Sequence, residues 1–168
     1  MNYEVKNFGK RIEERFSSLI NDYGYRIIQK HKNSFILENQ FVKISIYIEH
    51  TLLLLEIEDR KGSDVKFDIR LVYRTVTSKT IRSSFTIKDV EGSITTQLNE
   101  YCHLLETELK MVNTGDFSWV NNYLELETNL SRFIKVLGVS FTNHPAYKKF
   151  IKGDESWKSD LDVVETAR

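Results

Sequence analysis

The stretch Val42-Lys43-Ile44-Ser45-Ile46-Tyr47-Ile48-Glu49 decides the fold. Its apolar residues occupy every second position, and a period of two belongs to a strand. One side of that strand is apolar and the other polar. Such a strand sits in a sheet with one buried face and one wetted face, the habit of antiparallel sheets. Downstream, Leu53, Leu55 and Ile57 alternate with Glu56 and Glu58. Lys61-Gly62-Ser63-Asp64 is a turn signal. After it, Val65, Phe67, Ile69, Leu71 and Tyr73 alternate with Lys66, Asp68, Arg70 and Arg74. That pattern predicts a strand over 65–74, with Phe67, Ile69 and Leu71 pointing inward and Asp68 dispensable on the wetted side. Ile81, Phe85 and Ile87 against Arg82, Thr86 and Lys88 predict one more. Upstream, residues 25–31 and Ser34–Leu37 supply two more strands, the second ending in the turn-like Glu38-Asn39-Gln40. Connections this short point to a meander of five to six antiparallel strands.

The flanks change period. Phe8, Ile12, Phe16, Leu19, Ile20 and Tyr23 recur at spacings of three and four, which predicts a helix over 7–23. Asn7 is placed to cap its start, and Gly24 fits a left-handed position after its end. A second stripe (Ile94, Leu98, Tyr101, Cys102, Leu105, Leu109, Val112) predicts a helix over 93–113. Asp116 is placed to cap a third over 117–137, and Pro145 suits the first turn of a short fourth. The expected fold is α+β: an N-terminal helix, the meander, then two to three C-terminal helices covering the one apolar sheet face. Residues 1–152 read as a single domain, and 153–168 as a loose charged tail with Trp157 as its one anchor.

The chain has 168 residues, 40% hydrophobic and 29% charged, which suits one globular domain and excludes a disordered chain. One cysteine cannot form an intrachain disulfide. No apolar run approaches the roughly 20 residues that span a bilayer. The first ten residues lack the apolar core of a secretory leader. The default expectation is a cytoplasmic protein with no membrane contact.

Zero net charge hides segregation. Residues 60–88 hold eight Lys or Arg against two acids, a net of +6. Residues 89–131 hold eight acids against Lys110 alone, a net of −7. Alternation puts Tyr47, Arg70, Arg74 and Arg82 on the open sheet face. Glu100, Glu106 and Glu108 fall on the helical layer. Either set is a candidate partner-binding surface, because segregated charge steers association.

Catalytic and cofactor patterns are thin. His31, His50, His103 and His144 show no i,i+4 pair, and there is no C-x-x-C, so no metal or cofactor site is indicated. Cys102 and His103 are neighbours, but adjacent helical residues point about 100° apart. Cys102 reads as a small core residue and His103 as a surface one. Glu56, Glu58, Asp64 and Lys66 have the letters of a carboxylate–lysine centre in a metal-dependent hydrolase or nuclease. The same letters describe a wet hairpin. Tyr47 among arginines has the makings of a stacking site for single-stranded nucleic acid. The acidic helical half argues against a nucleic-acid partner.

Leu104-Leu105-Glu106, Leu109 and Val112-Asn113-Thr114-Gly115-Asp116-Phe117-Ser118-Trp119 resemble a phrase of small bacterial α+β proteins. Several of those resemble immunity proteins, the cognate inhibitors of bacterial toxins. The match covers about sixteen residues and carries over no site residue. The resemblance implies a non-enzymatic, partner-binding protein of the immunity or antitoxin kind, with a toxin as partner and no cofactor.

Overall fold

In the computed structural model, residues 7–49, 52–62, 65–81 and 89–167 are described. Among the described residues, five antiparallel strands pair in chain order: β1 (Arg26–His31), β2 (Ser34–Glu38), β3 (Val42–Glu49), β4 (Leu52–Asp59) and β5 (Lys66–Asp68). The fold is α+β, with seven α-helices among the described residues: α1 (Phe8–Arg15), α2 (Ser17–Tyr23), α3 (Ile69–Thr77), α4 (Val90–Glu106), α5 (Val120–Leu137), α6 (Pro145–Phe150) and α7 (Trp157–Thr166). The expected order of helix, meander and further helices is the observed one.

Alternation set the sheet's faces as expected. Phe35, Leu37, Val42, Ile44, Ile46, Leu53, Leu55, Ile57 and Phe67 are buried together. Register aligns them in rows, Leu37 against Ile44 and Ile44 against Ile57. Helices α1 and α4 pack on this face, through β2 and β4 respectively. They contribute Phe8, Ile12, Ile94, Leu98, Tyr101 and Leu105 to the core. Buried Gln97 accepts a hydrogen bond from Leu53 N at 3.3 Å, tying α4 to β4.

The strand expected over 65–74 is corrected. Pairing stops after Asp68, and the chain turns into α3. Asp68 Oδ1 accepts from Arg70 N at 2.8 Å and so caps that helix. The buried residues are Ile69, Val72 and Tyr73, at helical spacing, and Leu71 is only half-buried. Both periods were present in the letters, and the cap decided between them. Asp68→Ala is therefore expected to cost about 1 kcal/mol. Ile69→Ala is expected to cost about 2–5 kcal/mol, since Ile69 is fully buried. Urea unfolding of both variants checks this, and no loss of stability in Asp68→Ala would place Asp68 outside a capping role. The strand expected over 81–88, and Arg82 with it, lies outside the described residues except for Ile81.

Helix boundaries and caps also differ. The expected 7–23 helix breaks at Phe16, whose φ of −94° and ψ of 11° end α1 before α2 begins. Asn7 does not cap: its backbone is left-handed (φ 56°) and its side chain makes no capping bond. The expected 93–113 helix ends at Glu106, and a 3-10 turn over Lys110–Thr114 follows. Gly24 and Gly115 do take left-handed conformations.

The described residues divide into two compact units, 1–120 and 121–168. The second holds most of α5 with α6 and α7. Its core is Phe133, Val136, Ala146, Trp157 and Leu161. The loose tail expected over 153–168 is corrected. Trp157 and Leu161, four apart, are buried on one side of α7. Arg132 of α5 pairs with both Asp162 and Glu165 of α7. His144 caps α6, its Nδ1 accepting from Ala146 N at 3.2 Å. No helix among the described residues is long and apolar enough to cross a membrane.

Candidate partner-binding surfaces

The wetted sheet face is built from register. One row runs Arg26, Glu38, Lys43, Glu58, Lys66 across all five strands, with alternating sign. Arg26 Nε donates to Glu38 Oε1 at 2.9 Å, and Lys43 Nζ donates to both oxygens of Glu58 at 3.1 and 3.2 Å. In the next row Glu56 stands opposite Asp68, two like charges. Three neighbours offset that repulsion. Tyr47 OH donates to Glu56 Oε1 at 2.7 Å. Lys66 Nζ stands 3.3 Å from Glu56 Oε2, an ion pair without hydrogen-bond geometry at an oxygen shut off from solvent. Arg70 brackets Asp68, with Nε to Oδ1 at 3.0 Å and Nη2 to Oδ2 at 2.5 Å. Partial burial and the bond to Glu56 push the Tyr47 hydroxyl well above its ordinary pKa. The bond to Asp68 pushes that of Arg70 upward as well.

This face differs from the basic surface expected of it. Arg70 and Arg74 belong to α3 and not to a strand. Tyr47 is on the wetted face as expected, but its hydroxyl is committed to Glu56. The carboxylate–lysine centre does not assemble from the described members either. Glu56 faces Tyr47 and Lys66, while Glu58 faces Lys43. Asp64 lies outside the described residues. Among the described residues, no group of three His, Cys, Asp or Glu is gathered to hold a metal ion.

The acidic layer is arranged differently. Glu100 is half-buried on α4, and that burial raises its carboxyl pKa. Glu106, the last residue of α4, is exposed and accepts from Ser18 Oγ of α2. Glu108 is exposed just beyond, and the Thr107 hydroxyl bonded to it lowers its pKa. Exposed His103 lies between Glu100 and Glu106, three residues from each. None of the three glutamates carries an ion pair among the described residues, whereas Arg26, Lys43, Lys66 and Arg70 all do. Nearer the start of α4, Arg11 of α1 donates to Thr95 Oγ1 at 3.1 Å and pairs with Glu91.

Cys102 is a core residue and His103 a surface one, as the helical offset implied. The Cys102 thiol donates to Arg15 O at 2.9 Å. Burial pushes its pKa up to about 12, and burial does the same for Tyr101. A thiol whose pKa rises on folding favours the fold below its unfolded pKa, and that contribution disappears as pH rises through the folded value. Stability is therefore expected to fall between about pH 9 and 12, and less so in Cys102→Ala. Thermal melts across that range check it, and identical slopes for the two proteins would contradict it.

The phrase that carries the immunity-protein resemblance has a structural task that spacing did not reveal. Asn113 is 1% exposed. Its Oδ1 accepts from Tyr25 OH at 2.9 Å, and its Nδ2 donates to Leu105 O at 2.7 Å. Asn39 Nδ2 donates to Asn113 O at 2.9 Å, while Asn39 Oδ1 accepts from Phe41 N and Val42 N. Gly115 has φ +82°, and a Cβ there would lie 2.9 Å from the Phe41 ring. Trp119 Nε1 donates to Asp116 O, and its ring packs edge-on against Phe67 at 5.1 Å. Helical breadth was legible in this segment, and its polar joint to the β2–β3 turn was not. Comparison with family models, with curated proteins and with solved structures gives no match.

Proposed function

We propose that this protein is a non-enzymatic protein-binding module of the immunity or antitoxin kind, and that the end of α4 meets a basic partner. One observation carries the reading. The cations of the sheet face are paired with neighbouring carboxylates, while Glu100, Glu106 and Glu108 have no ion pair among the described residues. Like charges gathered around the end of a helix raise the encounter rate with a partner of opposite sign. A toxin that handles nucleic acid has such a surface, because phosphate binding demands lysines and arginines.

The test uses the product of the neighbouring gene, expressed together with this chain. The two are expected to co-elute. Association is expected to slow by about tenfold or more in the Glu100→Lys, Glu108→Lys double variant, and to slow with added salt in the native pair. Arg74→Glu is expected to leave the rate within about twofold. Failure to form a complex, or rates indifferent to both salt and the glutamate changes, would overturn the reading.

A further inference from the structure

Helix starts are ordinarily held by Ser, Thr, Asp or Asn, whose oxygens accept a hydrogen bond throughout the neutral range. At α6 the acceptor is an imidazole, His144 Nδ1 taking the Ala146 N–H at 3.2 Å. Ala146 is the first residue of that helix with an N–H to satisfy, because Pro145 has none. The bond fixes the state of the ring. Nδ1 accepts only with a bare lone pair, so the neutral ring carries its proton on Nε2. A second proton goes to Nδ1, and two donors then face each other across the same gap. It also sets a positive charge against the positive end of a helix. With six residues, α6 has little of its own to hold it once its start is open.

The surroundings offer an imidazolium no compensation. His144 makes no ion pair among the described residues. The 3-10 turn Phe141–Asn143 before it holds no titratable group. The acids of α7 and of the loop ahead of it are engaged elsewhere. Asp160 stands 2.7 Å from Lys149, Asp154 accepts from Ser156 N at 3.0 Å, Glu155 pairs with Lys158, and Asp162 and Glu165 pair with Arg132. The acids of α5, Glu125 and Glu127, lie in its first half, far along the helix from Leu137. The remaining groups are Lys135 at the end of α5, and Tyr147 and Lys148 on α6, none of them an anion to receive the charge.

What α6 covers gives its release a consequence. Ala146 is fully buried, and Tyr147 and Phe150 pack on the Phe133 ring at 5.4 and 5.3 Å. Beside the cap lies a cleft of about 300 Å³, lined by Leu137, Ser140, Phe141, Asn143, His144 and Pro145. Its Phe141 wall stacks on Phe133. We propose that His144 is an acid-released latch: neutral, it holds α6 on the aromatic core, and protonated, it opens the first turn of α6 and widens this cleft toward Phe133. The sign follows from the lone pair. The latch is closed at neutral pH and opens as pH falls through the range in which an imidazole charges, about pH 7 to 5. The device is independent of the acidic end of α4 and of any partner.

Amide hydrogen exchange of the full chain tests it. Protection factors, which correct for the intrinsic pH dependence of exchange, are expected to fall about fivefold or more at residues 146–150 between about pH 7.5 and about pH 5, the loss of one cap. Those of β3 and β4 are expected to hold. His144→Asn supplies a cap that does not titrate, and is expected to keep the protection at both pH values. His144→Ala is expected to lack it at both. Native protection unchanged on acidification, an equal fall in His144→Asn, a fall shared by β3 and β4, or full protection in His144→Ala would each overturn the proposal.

Discussion

Asn113→Ala is expected to be among the most damaging single changes in the sheet-bearing unit, lowering stability by about 2–5 kcal/mol. The side chain is small, and its cavity alone would cost little. The loss comes from what it leaves behind. Tyr25 OH and Leu105 O would lose their partners inside the protein, where no water replaces them. Leaving a buried donor or acceptor unsatisfied costs about 1–3 kcal/mol each. Tyr25→Phe is the informative companion, because it removes donor and need together and leaves only the Asn113 oxygen unpaired. It is expected to cost less than half as much. Urea unfolding of both variants decides this, and equal small losses would show that water enters the joint.

The second large effect is expected at Phe133. Its ring lies 5.2 Å from Trp157, 5.3 Å from Phe150, 5.4 Å from Tyr147 and 6.0 Å from Phe141. Every other aromatic side chain of that helical core touches it. Phe133→Ala removes the hub and leaves neighbours that are too rigid to refill the space. Such changes cost about 3–5 kcal/mol. Phe133→Leu keeps most of the volume and is expected to cost distinctly less. Trp157 reports the outcome, since its fluorescence should shift to the red in the alanine variant as the indole meets water. An unshifted spectrum in a destabilised protein would mean the core had collapsed around the gap.

The sequence disclosed the sheet because its code is binary. Val42 to Ile48 and Leu53 to Ile57 need only alternation, and burial followed it at every position but Ile48, which is half-buried. It was ambiguous at 65–74, where Ile69, Leu71 and Tyr73 satisfy a period of two and Ile69, Val72 and Tyr73 satisfy a helical one. Asp68 as a cap was the signal that separated them, and it was read as a wetted strand residue. Caps and breaks are single-residue events, which explains why Phe16 and Thr107 ended helices that periodicity ran through. The C-terminal residues misled through composition: the charges of α7 looked like a tail, but Trp157 and Leu161 four apart are one buried stripe.

The candidate surfaces were legible only as letters. Charge counts along the chain correctly separated a basic stretch from an acidic one. Which charges are spent is a matter of register, and register depends on partners far away in sequence. Lys43 meets Glu58 and Arg26 meets Glu38 because hairpins bring them together. Tyr47, taken alone, resembles a stacking platform. Placed beside Glu56, it is a donor with a fixed acceptor.

The meander has a consequence for synthesis. Each strand pairs with the one made just before it, so every pairing closes a short loop and the sheet can assemble as the chain leaves the ribosome. Its fifth strand is complete at Asp68, yet α4, which packs on the apolar face, does not begin until Val90. For that interval of translation the nascent sheet displays Leu53, Leu55, Ile57, Ile44 and Ile46 before α4 has been made to cover them. A stall or truncation between Thr77 and Glu106 would strand the chain in this half-covered state, the kind of species that chaperones hold and that otherwise aggregates.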